Sequence, residues 1–139
     1  MAKDKIILLE TNIDDCSGEV LGYTLDKLIS AGARDAWYSP IYMKKNRPAY
    51  ALSVMCKEDE EEELIKIIFK HTSAVGLRRS EVDRVIMDRE PTEISTKYGT
   101  VRANKFTYDD IEKTSLEYSS VAALADEKDV SINDIYKNY

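Results

Sequence analysis

The chain opens on a short apolar run, Ile6-Ile7-Leu8-Leu9, that passes directly into Glu10-Thr11-Asn12-Ile13-Asp14-Asp15. This pattern predicts a core strand that turns polar toward its C-terminal end, with alternation setting Glu10, Asn12 and Asp14 on one face. Ser17-Gly18-Glu19 then starts a helix whose Leu21, Leu25 and Leu28 recur at helical spacing and whose end is marked by Gly32. Residues 34–43, around Trp37, Tyr38, Ile41 and Tyr42, and residues 49–56 read as two long strands joined at the basic turn Lys44-Lys45-Asn46-Arg47-Pro48. Six consecutive acids, residues 58–63, lead into Leu64, Ile65, Ile68 and Phe69. Those four define one apolar helix face, and acids at its start suit the positive end of the helix dipole, a structural role. After the connection His71-Thr72-Ser73-Ala74-Val75-Gly76, residues 77–87 look like a long strand. The order βαββαβ is the ferredoxin-like arrangement, an α+β fold with an antiparallel four-stranded sheet and two helices on one face.

Pro91 punctuates the chain, and the remainder differs in kind. Residues 94–97 and 101–108 form strand-like arms around Tyr98-Gly99-Thr100, residues 116–128 are helical, and Ser131 with Asp134 predicts the N-terminal cap of a short last helix carrying Ile135 and Tyr136. The expected organisation is a ferredoxin-like subdomain over residues 1–90 and a hairpin-plus-helices subdomain over residues 91–139. No repeat or low-complexity linker separates the two.

A length of 139 residues, 43% of them hydrophobic, fits one core with a small appendage. The balance of 20 Lys and Arg against 26 Asp and Glu gives a net charge of -6, which opposes nucleic-acid binding by general phosphate attraction. A polyanionic ligand must therefore be met locally. No apolar run approaches a membrane span and no basic leader precedes a long apolar stretch, which points away from the membrane and toward a cytoplasmic setting. Two cysteines, Cys16 and Cys56, and the single His71 cannot build a structural zinc site. The cysteines read as small buried apolar groups, and His71 as a histidine near a helix C-terminus.

The five glycines form neither a dinucleotide fingerprint nor a P-loop, so any bound triphosphate must be neutralised by side chains and a divalent cation. The hairpin tip Lys44-Lys45-Asn46-Arg47 and the pair Arg78-Arg79 could supply the positive charge, since the guanidinium fork grips phosphate through two bonds. Arg78 and Arg79 point opposite ways in a strand, so one of them serves any given site. A basic hairpin tip is equally explained by simple solvation. Asp14 and Asp15, between a strand and a helix, could hold Mg²⁺ or Mn²⁺ through hard carboxylate oxygens. The competing explanation is that they cap the helix. Thr72, Ser73 and the backbone at Gly76 could donate to an anion, although a helix-to-strand turn accounts for them as well.

The segments Glu10-Thr11-Asn12-Ile13-Asp14-Asp15, the run of residues 32–48 with its Met43-Lys44-Lys45-Asn46-Arg47-Pro48, and Val75-Gly76-Leu77-Arg78-Arg79 together resemble the C-terminal domain of the LarC family. These are the nickel insertion proteins that complete the nickel-pincer nucleotide cofactor of lactate racemase. The likeness extends through Tyr98-Gly99-Thr100-Val101-Arg102 and Leu116-Glu117-Tyr118 to Ile135-Tyr136.

The resemblance implies a CTP-dependent nickel insertase. Nickel enters pyridinium-3,5-bisthiocarboxylic acid mononucleotide while CTP is consumed to CMP and pyrophosphate, and this domain holds CTP with Mg²⁺ or Mn²⁺. It implies catalytic roles for Lys45, Arg47 and Arg78, and CTP contacts from Asn12, Ser39, Lys44, Lys45, Asn46, Arg47, Thr72, Ser73, Gly76, Arg78 and Arg79. Asp14 and Asp15 are the implied metal ligands. The partners it implies are the N-terminal domain of the same protein and further copies of the chain, which makes this sequence a fragment or a separately made half, expected to be inactive alone. The rival from another class is a non-catalytic ferredoxin-like module that binds a small anionic effector.

Overall fold

The computed structural model describes residues 2–139, with side chains from Asp4 onward. It divides into two compact units, one of Asp4–Arg84 and one of Val85–Tyr139 together with the first residues of the chain, up to Lys3.

The first unit carries β1 (Ala2–Ile13), α1 (Gly18–Ser30), β2 (Asp35–Met43), β3 (Arg47–Cys56), α2 (Glu61–His71) and β4 (Arg78–Ile86), whose last residues enter the second unit. Its sheet has the order β2-β3-β1-β4, with β1 and β2 each antiparallel to β3. This is the ferredoxin-like arrangement expected from the element order. One sheet face presents Ile7, Leu9, Ile13, Leu52, Val54 and Cys56 to Leu21 and Leu28 of α1 and Leu64 and Ile68 of α2, all buried in one cluster. Burial there raises the Cys56 thiol to about 11, with smaller contributions from Glu61 and Glu60, so the cysteine is an apolar core residue, as expected.

Local signals set the helix boundaries. Ser17 caps α1 by accepting from the Val20 N–H at 3.2 Å. At the other end Ala33 donates to the Leu28 carbonyl and Gly32 to the Ile29 carbonyl, both at 3.1 Å, with Gly32 at a φ of 107°. The left-handed φ at Gly32 is one that L side chains rarely adopt, and a Cβ there would lie 2.5 Å from Glu60 Oε2, so the end of that carboxylate would have to shift. The acids before α2 are structural, as expected: Glu60 accepts from the Lys57 N–H at 3.1 Å and pairs with Arg34 at 3.5 Å, while Glu61 binds Arg79.

The second unit carries β5 (Asp88–Thr96), β6 (Gly99–Tyr108), β7 (Ile111–Leu116), α3 (Tyr118–Lys128) and α4 (Ile132–Tyr136), with sheet order β5-β6-β7. Val101, Ala103, Leu116, Val121, Leu124, Ala125 and Ile135 form its core. The expectation that Pro91 breaks the chain is corrected, because β5 runs through it, paired with Asn104. β5 is an edge strand, where a missing N–H costs no ladder bond. Strand β7 is a second correction, since the sequence pattern begins a helix at Leu116. Its segment Ile111-Glu112-Lys113-Thr114-Ser115-Leu116 is exposed except at its last residues and shows no apolar alternation. The short last helix forms as expected, with Ser131 accepting from the Asp134 N–H at 3.1 Å. Among the described residues no helix is long and apolar enough to cross a membrane.

Candidate functional site

Nearly all the polar residues singled out from the sequence lie in the first unit, around the C-terminal end of β1. The β2–β3 hairpin closes over a three-residue turn, Lys44–Asn46, with Met43 paired to Arg47. Lys45 and Asn46 both adopt the left-handed region, at φ 65° and 58°. Asn tolerates that conformation readily, whereas an alkyl-chain residue pays for it. The turn holds Lys44 and Lys45 exposed, and among the described side chains no carboxylate pairs with either.

Arg47 reaches back across the sheet end to Asp14, Nη1 to Oδ2, at 3.4 Å. Asp15 accepts a short hydrogen bond from the Ser73 hydroxyl. Arg78, at the start of β4, donates from Nη2 to Asn12 Oδ1 at 3.3 Å. Since Ser17 caps α1, neither aspartate is occupied as that helix's N-cap, and the alternative left open by the sequence is decided against capping. Both carboxylates face a cation or a hydroxyl from a remote part of the chain. Ser39, Ala51 and Asn12 pair in one row across β2, β3 and β1, which places Ser39 on the same sheet face as Asn12.

Other expected members have local duties. The Thr72 hydroxyl donates to the Ile68 carbonyl at 2.7 Å and accepts from the Ala74 N–H at 3.1 Å, so it serves the turn after α2. The Gly76 carbonyl accepts from the buried Thr11 hydroxyl at 2.8 Å, which ties the segment entering β4 to β1. Arg79 points away from Arg78 and grips Glu61 through Nε at 2.6 Å and Nη2 at 3.1 Å, with Glu81 at 3.6 Å from the same guanidinium. Its charge is held even more firmly than usual by the hydrogen bond to Glu61. The geometry therefore forms three side-chain pairs along the C-terminal end of β1 and just beyond it, Arg78–Asn12, Arg47–Asp14 and Ser73–Asp15, with Ser39 in the row of Asn12, and leaves Arg79 bound to Glu61 at the start of α2.

The donor set is all oxygen, from two carboxylates, one hydroxyl and one amide, which suits a hard cation such as Mg²⁺ or Mn²⁺. Among the described residues no three His, Cys, Asp or Glu side chains stand close enough to hold a metal unaided. Periodicity and spacing do not join Asn12 to Arg78, since 66 residues separate them and only the β1–β4 neighbourhood brings them together; the family resemblance alone names both as CTP contacts.

Comparison with known proteins gives this geometry a context. The sequence profile described as "Nickel insertion protein" matches residues 1–136. A pyridinium-3,5-bisthiocarboxylic acid mononucleotide nickel insertion protein of Alkaliphilus metalliredigens is 42% identical over 129 residues, covering 93% of this chain and 31% of that protein. The protein of the same name from Acetivibrio thermocellus is 37% identical over 133 residues, covering 96% of this chain and 33% of that protein. The chain thus spans about a third of the length of these curated relatives. Among solved structures, the apo C-terminal domain of a cyclometallase involved in the synthesis of the NPN cofactor of lactate racemase superposes with a TM-score of 0.92 at 38% identity, covering 98% of this chain and 94% of that one. A Methanopyrus kandleri protein at 23% identity and a TM-score of 0.63 shares the fold.

Proposed function

The chain belongs to the nickel insertion protein family, and from that premise we propose that it is the CTP- and divalent-cation-binding part of a nickel insertase acting on pyridinium-3,5-bisthiocarboxylic acid mononucleotide. The observation that supports the reading is that three polar positions around the end of β1, Asn12, Asp14 and Asp15, are each bound by a residue remote in sequence, Arg78, Arg47 and Ser73, with the exposed Lys44 and Lys45 in the hairpin turn before Arg47. In a chain of net charge -6, this is a local meeting of carboxylates able to hold a cation and cations able to hold phosphate.

In this reading Lys44, Lys45, Arg47 and Arg78 receive the triphosphate, and Asn12 and Ser39 lie along the same face toward its nucleoside end. Asp14 and Asp15 would hold the Mg²⁺ or Mn²⁺ that accompanies CTP. Once bound, that ion supplies neutralisation of phosphate charge. Lys45, Arg47 and Arg78 stabilise the negative charge that moves onto pyrophosphate as CTP is consumed to CMP. The pairs Arg47–Asp14 and Arg78–Asn12 keep the guanidinium groups in place before the nucleotide arrives, which lowers the ordering cost of binding. Nickel is the cargo of the reaction. The remaining length of the longer relatives, about two thirds, would supply the partner N-terminal domain and complete the activity.

Calorimetry with CTP, UTP, ATP and GTP, each with and without Mn²⁺, tests the reading. The expected result is metal-strengthened binding of CTP in preference to the other three. Equal affinity for all four, or no binding, would favour the regulatory module instead.

A further inference from the structure

Within the second unit, one face of the β5-β6-β7 sheet is covered and the other is open. Val101 and Ala103 of β6 belong to the core, so alternation turns Arg102, Asn104 and Phe106 to the opposite face. On that face Arg89, Pro91, Arg102, Lys113 and Ser115 are exposed. Register sets Arg89 of β5 on one side of the half-buried Phe106 and Lys113 of β7 on the other, so an aromatic ring stands in line between two cations. Arg89 donates from Nε to Asn104 Oδ1 at 2.9 Å, which holds the guanidinium and leaves its outer N–H groups to donate elsewhere. Among the described side chains no carboxylate pairs with Arg89 or Lys113. A cleft of about 410 Å³ runs along the strands from Arg89, past Asn104, to Arg102. Its acids, Glu93 and Glu117, stand at the Arg102 end: Glu93 is opposite Arg102 in register, and Glu117 binds Arg102 at 3.3 and 3.4 Å. Positive charge is therefore matched at Arg102 and unmatched beside Phe106.

We propose that the row of Arg89, Phe106 and Lys113 is a binding site for a pyridinium ring that carries two acid groups in meta positions, with the ring on Phe106, one acid at Arg89 and the other at Lys113. The proposal rests on the substrate half of the reading above, since a pyridinium 3,5-bisthiocarboxylate is such a ring. A positively charged ring is drawn to the face of a phenyl group, and its two acids accept charge-assisted hydrogen bonds from a guanidinium and an ammonium group. Adjacent strands lie about 4.8 Å apart, so β5 and β7 stand about 10 Å apart across β6, a span that a six-membered ring with an acid on each side fills. The axis through the ring nitrogen is perpendicular to the line joining the two acids. A substituent on that nitrogen thus runs along the strands, into the cleft beside Asn104.

The probe is N-methylpyridinium-3,5-dicarboxylate, with N-methylpyridinium-3-carboxylate as its single-acid control. By calorimetry the dicarboxylate should bind at least about tenfold more tightly, because the control engages one of the two cations. Arg89→Ala and Lys113→Ala should each reduce that preference to within about threefold, with thermal unfolding unchanged because both side chains are exposed. Backbone amide shifts caused by the dicarboxylate should centre on Arg89, Phe106 and Lys113. Equal binding of the two probes, a preference that survives both substitutions, or shifts centred on the basic tip at Lys44 and Lys45 would overturn the site. CTP affinity should be the same in the parent and both variants, which keeps the two readings apart. A parent that binds CTP but not the dicarboxylate loses this site alone, and one that binds the dicarboxylate at this row but not CTP loses the nucleotide reading alone.

Discussion

Arg47 Nη1 lies 3.4 Å from Asp14 Oδ2, joining the base of the β2–β3 hairpin to the residue just beyond the end of β1. Both side chains are partly exposed, at 56% and 34%, so the pair contributes little to folding stability in water. Its effect is positional: it keeps a cation and a carboxylate adjacent at the sheet end, where the proposed site would receive the triphosphate and its metal ion.

Asp14 and Asp15 should be separable from the cap of α1. Ser17→Ala removes the acceptor for the Val20 N–H and should cost about 1 kcal/mol in denaturant unfolding. Asp14→Asn and Asp15→Asn should leave unfolding within about 0.5 kcal/mol of the parent. The same two changes should weaken Mn²⁺-dependent CTP binding about tenfold, with binding in the absence of metal much less affected. Unaltered binding in both variants would leave the cation held by the nucleotide alone.

Arg78→Ala and Arg79→Ala should differ. Loss of a desolvated phosphate contact from Arg78 should cost about 2 kcal/mol, roughly thirtyfold in affinity, and Lys45→Ala and Arg47→Ala should behave alike. Arg79 is committed to Glu61, so Arg79→Ala should change CTP affinity by less than about twofold. A larger loss for Arg79 than for Arg78 in calorimetry would place the phosphates on the other side of β4.

Acid should weaken the fold in a defined window. Hydrogen bonds from Lys57 and then Arg84 hold the Asp4 carboxyl at about 2, below its ordinary 3.8. The unfolded chain therefore takes up this proton more readily than the folded one, and the stabilisation, complete above pH 3.8, is lost as pH falls through about 2. Thermal midpoints measured between pH 5 and 2 should decline, and Asp4→Asn should flatten the decline. An identical slope in the variant would assign the acid sensitivity to other carboxylates, among them Glu117, which Arg102 and Ser119 also hold below its usual range.

Gly32→Ala should destabilise the first unit by about 1 kcal/mol, chiefly because the backbone angle is left-handed, with a smaller cost for the shift of the Glu60 carboxylate. Pairing it with Glu60→Ala should recover only the steric part. Full recovery in the double variant, read by chemical denaturation, would mean that the backbone angle carries no cost.

The ferredoxin-like order was legible because each of its elements carries a local signal: the apolar stripe of α1 ended by Gly32, the two apolar runs flanking a basic turn, and the acidic start of α2. In the second unit such signals fade. β7 is exposed along most of its length, and its start is marked only by the turn at Asp109, at φ 52°, so pattern had little to register. At the candidate site, the chemistry of Asp14, Arg47 and Arg78 was readable residue by residue, but their meeting depends on strand order. Ser17, as the cap of α1, frees Asp14 and Asp15 from that duty, and four nearby residues, Asp14, Asp15, Ser17 and Glu19, all had suitable chemistry for the helix start. The row of Arg89, Phe106 and Lys113 depends on register across three strands, information that no local window contains.

The left-handed backbone at Lys45 puts a charge where glycine would sit with less strain. An L residue gives up about 1 kcal/mol at such an angle, and Lys45 makes no ion pair with a described side chain that would return it. If the proposed site holds, the tip is a point where folding and binding draw on opposite choices of one residue. Lys45→Gly should fold at least as stably as the parent by denaturant titration and bind the triphosphate more weakly. In the proposed site, stability and affinity then part company at a single backbone position, and screening this hairpin for thermal stability alone would select against nucleotide binding there.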